Sequence, residues 1–470
     1  MKKFIAIVVI MLLLATVMVG CTTKEETTDA PKATAKKVEE KTEEKKEEAP
    51  KEEEVEVVEI TILSNPTTPE QQVHEDELTA AFEAANPGIK VKRIPSNDSN
   101  TLLQQLAAGV GPDMITHVDK SKIAEYVEAG YLLNLDKYVD EYGWNERFSE
   151  ASLKSYQHDG TQYLTPGKSI MMTVYYNKDM FAENGWAVPT TYQELVTICD
   201  ALVEQDIAPF TFGVADFKQA YDRWITMIFN GYLGNDGMKK VITGEYRMDG
   251  PEVRATFEFL VDFYQKYVYE NAPSITEDDA NTLFYQNKAA MFATGQWQLN
   301  RFVNGDVPFE WGQFCLPGLQ DGQEGIIAGG YGAGDGINST TEHPDEAAKY
   351  LDFMNADEQA EWLLINEGLI FPRTNGYSDE AMAKVNDNFK EEIELYNLAL
   401  NEDRIGYATW AYFSSSTQNY AWGNLEALIL DQITMDDYIE GLQAAYDDDV
   451  ANGRIYAFQE IGRASCRERV

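Results

Sequence analysis

The residues of this chain best suited to chemistry are flat aromatics set beside planar polar groups. There are 8 Trp and 26 Tyr. Those at predicted strand ends and in loops stand out: Trp297, Tyr331, Trp410 and Tyr412. With them go Asn65 after the first predicted strand, Asp119 after the strand MITH, and Asp216 and Trp224 near the start of a helical zone at 218–233. An aromatic face takes an apolar ring face, while amides and carboxylates pair with hydroxyls, so the set suits non-covalent recognition. Each residue also has a plainer reading. Trp224 belongs to the core if its helix buries Ile225, Ile228 and Phe229, because aromatics at helical spacing usually pack. Asp119 and Asp216 read equally as helix caps or solvated carboxylates. Trp410 and Tyr412 lie in TWAYFSSSTQN, a predicted loop where packing is a less natural role. His117 reads as a wall residue with no catalytic task.

No catalytic constellation accompanies these residues. HEDEL at His74 lacks the second histidine of a zinc protease, and no Gly-x-Ser-x-Gly is present. GGYGAGDG (Gly329 to Gly336) has neither the dinucleotide fingerprint nor the Lys-Ser/Thr that closes a Walker loop, so it reads as a glycine turn beside Tyr331. His74, His117, His158 and His343 are scattered, with no ligand spacing for a metal, and no cofactor is expected. Paired carboxylates could serve a glycosidase, but no pair can be picked from 79 acids by sequence.

Positioning such residues takes a framework, and the chain predicts an α/β one. Val55 to Leu63 alternates and then turns fully apolar, as a strand does on entering a core. A helix follows that ends at Asn86-Pro87-Gly88, then a second strand, IKVKRIP; the alternation continues through GVGPDMITH and KSKIAEYVEAGYLLNL. SIMMTVYYN, FTFGV, KAAMFAT, WGQFCLPG and EGIIAGG read as further strands. Lys178 to Asn184, Thr191 to Glu204, Val253 to Tyr269, Asp278 to Asn287, a pair across 344–368, Tyr420 to Asp431 and Met435 to Asp447 read as helices. Roughly 400 residues of this kind exceed a single core, so two lobes are expected. Acids outnumber bases 79 to 38, giving −41, and −40 of that falls on residues 58–460. Without clustered Lys and Arg, nucleic-acid binding is excluded as a function class.

The ends bound the location. Lys2 and Lys3 precede an apolar run from Phe4 to Val19, and Met18-Val19-Gly20-Cys21 supplies small residues before a cysteine, which is the pattern of an export signal over 1–20. It resembles a bacterial lipoprotein signal, implying a lipid on Cys21, with Met18 where leucine is usual. Residues 21–57 alternate Lys and Glu blocks without an aromatic and read as a disordered tether. Residues 461–470 (IGRASCRERV) change character abruptly and back-translate to a stretch resembling a sequencing adapter, so a non-native tail is expected. Cys199 and Cys315 read as buried thiols, a bridge being the alternative that export permits.

Several segments together resemble the solute-binding lipoproteins of ABC importers, in the carbohydrate-binding branch (bacterial solute-binding protein family 1). GVGPDMITH with Ala129 to Leu132, VYYNKDMFAENGWAVPTTYQEL, KAAMFATGQW, HPDEAAKYLDFM and EGLIFPRTN occur in the family's order. The resemblance implies a two-lobed clamp, each lobe a mainly parallel sheet flanked by helices. It puts 58–174 and 318–402 in an N-lobe, 175–317 and 403–460 in a C-lobe, and crossings near Tyr175, Pro317 and Asp403. It further implies a sugar, expected to be an oligosaccharide, stacked on Trp297 at the family's Gly-x-Trp position. Delivery would be to an ABC permease, from a monomer anchored through Cys21 outside the cytoplasm, with no enzyme activity. A secreted glycoside hydrolase and a lipoprotein presenting its ligand to a membrane sensor stay open as alternatives, as do peptide and polyol ligands.

Overall fold

Strand and helix signals in the sequence translate directly into burial. The computed structural model describes residues 57–64, 69–95, 99–305, 307–402 and 404–456. The signal, Cys21, the tether, Asn65, Asp403 and the tail at 461–470 lie outside them. In Val58–Ser64 (β1), Ile60, Ile62 and Leu63 are buried, and the chain pairs in parallel with Ile89–Pro95 (β2) and Met114–Val118 (β3). The short hairpin Gln157–His158 (β4) and Thr161–Gln162 (β5) leads to Leu164–Thr165 (β6) and then to the long strand Ser169–Asn177 (β7). Ala208–Thr211 (β8), Ala289–Gly295 (β9), Trp311–Phe314 (β10), Ala328–Tyr331 (β11) and Gly334–Ile337 (β12) complete the set.

These strands form two five-stranded sheets, and hence two lobes. The first has the order β2-β1-β3-β12-β6; the second runs β10-β7-β9-β8, with β11 also on β7. The expected two-lobed α/β clamp is the architecture found. Its sheets, however, are mixed rather than mainly parallel. β12 runs antiparallel to β3 and β6, and β7 antiparallel to β9, β10 and β11. The reason is topological: a strand arriving directly from the other lobe lacks the helical crossover that a parallel partner needs.

The crossings differ from those expected. The chain leaves the first sheet after Thr165 and enters the second at Ser169, rather than near Tyr175. It returns between Tyr331 and Gly334, inside the glycine segment, rather than near Pro317. Gly329 is tightly required there, because a Cβ would lie 1.9 Å from the Ile170 carbonyl oxygen on the paired strand. The third passage falls near Asn355. Helix Pro344–Met354 buries Ala347, Ala348, Tyr350 and Leu351 in the first-lobe core, whereas Leu364, Val385, Phe389 and Tyr396 from the helices beyond it pack with Tyr175 and Phe292 of the second sheet. Much of 318–402 therefore belongs to the second lobe.

Helix starts follow local chemistry. Thr191 and Glu194, Thr276 and Asp279, and Thr434 and Asp437 each form a capping box, which satisfies amides that would otherwise lack partners. The largest core covers one face of the second sheet with Tyr192–Glu204, Tyr221–Ile242, Pro251–Tyr267, Ser415–Ile429 and Met435–Ala451. Cys199 is buried and Cys315 half-buried; both are free thiols.

Candidate functional site

Two neighbouring clusters, one from each lobe, bring most of the candidate residues together. On the second lobe, β9 ends at Gly295 and a single turn, Gln296–Gln298, carries Trp297 outward. Gln296 pins that turn by accepting from the Met171 amide at 2.6 Å and donating to the Ser169 carbonyl. Trp297 is 38% exposed, an unusual state for so large an apolar side chain. Its ring lies against the Gly295 backbone, where a Cβ would come 2.1 Å from Cζ3, so only glycine leaves room for the indole. The Arg223 guanidinium sits 5.0 Å from the Trp297 ring, and Trp410 meets that ring edge-on at 6.3 Å. Arg223 is held by a two-pronged pair with Glu277 at 2.9 and 3.0 Å.

Trp410 and Tyr412 share the short helix Thr409–Tyr412, which replaces the predicted loop. Thr409 fixes it: its amide donates to Thr226 Oγ1 at 2.9 Å and its hydroxyl to Asp222 Oδ1 at 2.5 Å. Gln418 donates to the other Asp222 oxygen at 3.3 Å. Burial pushes the Asp222 carboxyl up to about 7, the two hydrogen bonds opposing the rise and the charge of Asp119 adding to it.

The first lobe contributes the turn after β3. Asp119, partly buried, has its carboxyl raised by burial while Lys122 at 3.6 Å pulls the other way. Lys120 is buried, and its Nζ donates to Tyr412 Oη at 2.7 Å across the lobes. The same ammonium lies 4.2 Å from the Tyr412 ring centroid and 5.5 Å from that of Tyr331. Burial draws Lys120 down to about 7 against the opposing charge of Asp119. His117 is exposed with a left-handed φ of 59°, and its amide donates to Asp335 at 2.9 Å.

The candidates therefore divide. Trp297, Trp410, Tyr331, Tyr412 and Asp119 gather, although Tyr412 is largely packed between Tyr407 and Tyr456. Trp224 does not join them: it is 2% exposed among Phe210, Phe212, Phe263 and Tyr264, a core residue. One residue is about 100° of helix rotation, which turns Arg223 to the site and Trp224 to the core. Asp216 is exposed and accepts from the Glu277 amide at 3.4 Å, a cap beside the Arg223 pair. Asn65 lies outside the described residues. Lys120, Arg223, Asp222 and Glu277 were not anticipated; only the adjacency of Lys120 to Asp119 and of Arg223 to Trp224 pointed to them. Among the described residues no group of three or more His, Cys, Asp or Glu could hold a metal.

A flat, half-open indole with an edge-on partner, phenols and buried charge is equipment for holding a ligand without covalent chemistry. Family comparison agrees, since residues 65–361 match the model of the bacterial extracellular solute-binding proteins. The chain belongs to that family. Among relatives of this solute-binding protein, the multiple sugar-binding protein of Streptococcus mutans is 26% identical over 294 residues, 58% of this chain and 66% of the relative. An uncharacterized ABC transporter extracellular-binding protein of Pyrococcus horikoshii is 23% identical over 93% of this chain and 96% of its own. A chitin oligosaccharide binding protein superposes with a TM-score of 0.74 at 21% identity, covering 84% of this chain and 100% of that one. A maltose-bound protein from T. maritima gives 0.67 at 21%, covering 83% and 100%. The solved structures share the fold.

Proposed function

We propose that this solute-binding protein captures an oligosaccharide between its lobes and delivers it to the permease of an ABC importer, held near the membrane by a lipid on Cys21. The observation that carries the reading is the Trp297 indole, open to solvent over part of its surface and framed by Trp410 and Arg223. Sugars offer apolar ring faces edged with hydroxyls, and an aromatic plane next to polar groups suits both. Relatives and structural neighbours named for multiple sugars, chitin oligosaccharide, raffinose and maltose support that ligand class. A ligand touching both lobes gains its full contacts only when they close, and so shifts the hinge equilibrium towards closure. One acyl chain anchors weakly, so stable attachment needs more than one.

Thermal unfolding against a panel of mono- and oligosaccharides, with the sugar analysed afterwards, tests this. Ligand at 100 times its dissociation constant adds about 2.7 kcal/mol, enough to raise the midpoint by several degrees. A selective rise with the sugar recovered intact is the expected result. Cleaved sugar would replace the proposal with a glycoside hydrolase, and no shift with any sugar would refute it.

A further inference from the structure

A stripe of polar side chains runs along the first three turns of helix Tyr221–Ile242, and the segment bearing Trp410 is fastened to it. Asp222, Thr226 and Asn230 stand four residues apart, which sets them on one face, and all three are buried. Burying polar groups costs free energy unless each is hydrogen-bonded, and all three bond to residues between 407 and 418. We propose that Asp222, at the N-terminal end of the stripe, is a positioning residue that sets the stance of Trp410 against Trp297. The proposal rests on the sugar-binding reading above and names the group that holds one of its aromatic walls in place.

The stripe grips the segment at successive points. Asn230 donates to the Tyr407 carbonyl at 2.8 Å and accepts from the Tyr407 amide at 2.9 Å, as a neighbouring strand would. Gly406 leaves room for this pair, because a Cβ there would lie 2.1 Å from Asn230 Oδ1. Thr226 Oγ1 accepts from the Thr409 amide at 2.9 Å and lies 2.6 Å from Thr409 Oγ1. The Thr409 hydroxyl itself donates to Asp222 Oδ1 at 2.5 Å, so the Thr226 hydroxyl is left to supply Thr409 Oγ1. Asp222 is the acceptor on which this chain of hydroxyls ends.

Asp222 also does what the other two do not. Asn230 and Thr226 hold the backbone that enters the short helix Thr409–Tyr412, whereas Asp222 ties the start of that helix to the next one, with Oδ1 on Thr409 and Oδ2 on Gln418 of Ser415–Ile429. Anchoring to two long helices fixes the roll of a single turn, and at about 100° per residue roll decides where Trp410 points. Trp410 is only half-buried, so core packing does not set its ring alone. Apolar side chains could fill the same core without the desolvation cost. What the polar stripe adds is direction, since hydrogen bonds fix a register along which apolar contacts can slide.

Calorimetric titration of the whole protein with the sugar that binds best tests the proposal, with thermal unfolding to check that each variant folds. Asp222→Ala and Thr409→Val cut the link from its two ends and should each weaken binding by about tenfold. Thr409→Val keeps the side-chain shape and carries the test if Asp222→Ala does not fold. Asp222→Asn still offers Thr409 an oxygen, with the Gln418 amide turned to accept from it, and should recover all but about threefold of the affinity. In a Trp410→Ala background the loss from either cut should shrink to about twofold or less, because nothing is left to position. An equal loss in both backgrounds overturns the proposal and makes Asp222 a support of the fold, and full affinity in the folded single variants overturns it too. A crystal structure of ligand-free Thr409→Val reads the same point without sugar: the Trp410 ring should leave its edge-on contact with Trp297, and an unmoved ring overturns the proposal. Failure of every sugar to bind the unmodified protein overturns the sugar-binding reading, and that crystal structure then still decides whether Asp222 positions Trp410.

Discussion

Two substitutions that share one target, Trp297→Ala and Gly295→Ala, probe whether the indole is a stacking platform. A tryptophan side chain presents about 150 to 250 Å², and the 38% of Trp297 left open amounts to roughly 60 to 95 Å² for a ligand to cover. At about 25 cal/mol per Å² this is worth roughly 1.5 to 2.4 kcal/mol. Trp297→Ala should therefore weaken binding by a factor of about 10 to 50. Gly295→Ala keeps the indole but removes its place, because the new Cβ would sit 2.1 Å from Cζ3 and 2.3 Å from Cη2. The ring must swing away from Arg223 and Trp410, so the loss should approach that of the direct deletion. Calorimetric titration with the sugar that binds best measures both, and thermal unfolding confirms that each variant is folded. A folded variant of either kind that binds within twofold of the unmodified protein refutes the stacking geometry.

Other outcomes follow from the buried polar groups. Glu392 is buried on the inward face of Asp387–Asn401, between Phe389 and Tyr396 along the chain, and the Gln313 side chain is the polar group that faces its carboxyl. Burial pushes it from 4.5 up to about 8, so the folded state holds its proton; the associated stability is complete below about 4.5 and is lost as pH rises to about 8. At 1.36 kcal/mol per unit the loss is a few kcal/mol. Urea midpoints between pH 5 and 9 should fall, and Glu392→Gln should flatten the decline. A Glu392→Gln variant with an unchanged slope contradicts the assignment. Tyr412→Phe removes the acceptor for Lys120 across the lobes; at about 0.5 to 1.5 kcal/mol it should open the sugar-free protein by about 2- to 12-fold, seen as a larger radius of gyration in X-ray scattering. An unchanged radius argues against the contact as a latch.

What could be read from the sequence, and what could not, follows from the range over which each signal acts. The alternation in Val58–Ser64 and the Thr191 to Glu194 helix start are local patterns, and both appear as read. The lobe covered by helices 357–401 is a long-range fact. Their apolar faces announce burial, yet nothing within them names the second sheet as the partner. The glycine segment at 329–336 was read as a turn, yet most of it is strand, the end of β11 on β7 and the start of β12 on β3 with only residues 332–333 between; both partner strands lie more than a hundred residues upstream, out of reach of a local pattern. At the site, Trp297 was picked out by its place at the end of a predicted strand and by the Gly-x-Trp resemblance, and the structure carries it on the turn after β9. Arg223 was hidden behind Trp224, since helix phase decides which of two adjacent residues turns to Trp297 and which to the core. Lys120 was hidden because a buried lysine is rare, and its acceptor Tyr412 lies far along the chain.

The central claim is that a sugar is held intact between the lobes. Isothermal titration of the purified protein with the panel, followed by chromatography of the recovered ligand, tests it most directly. One site per chain for a selected oligosaccharide, recovered unchanged, is the result predicted. Recovered fragments, or no binding heat with any sugar across a range of temperatures, would contradict it.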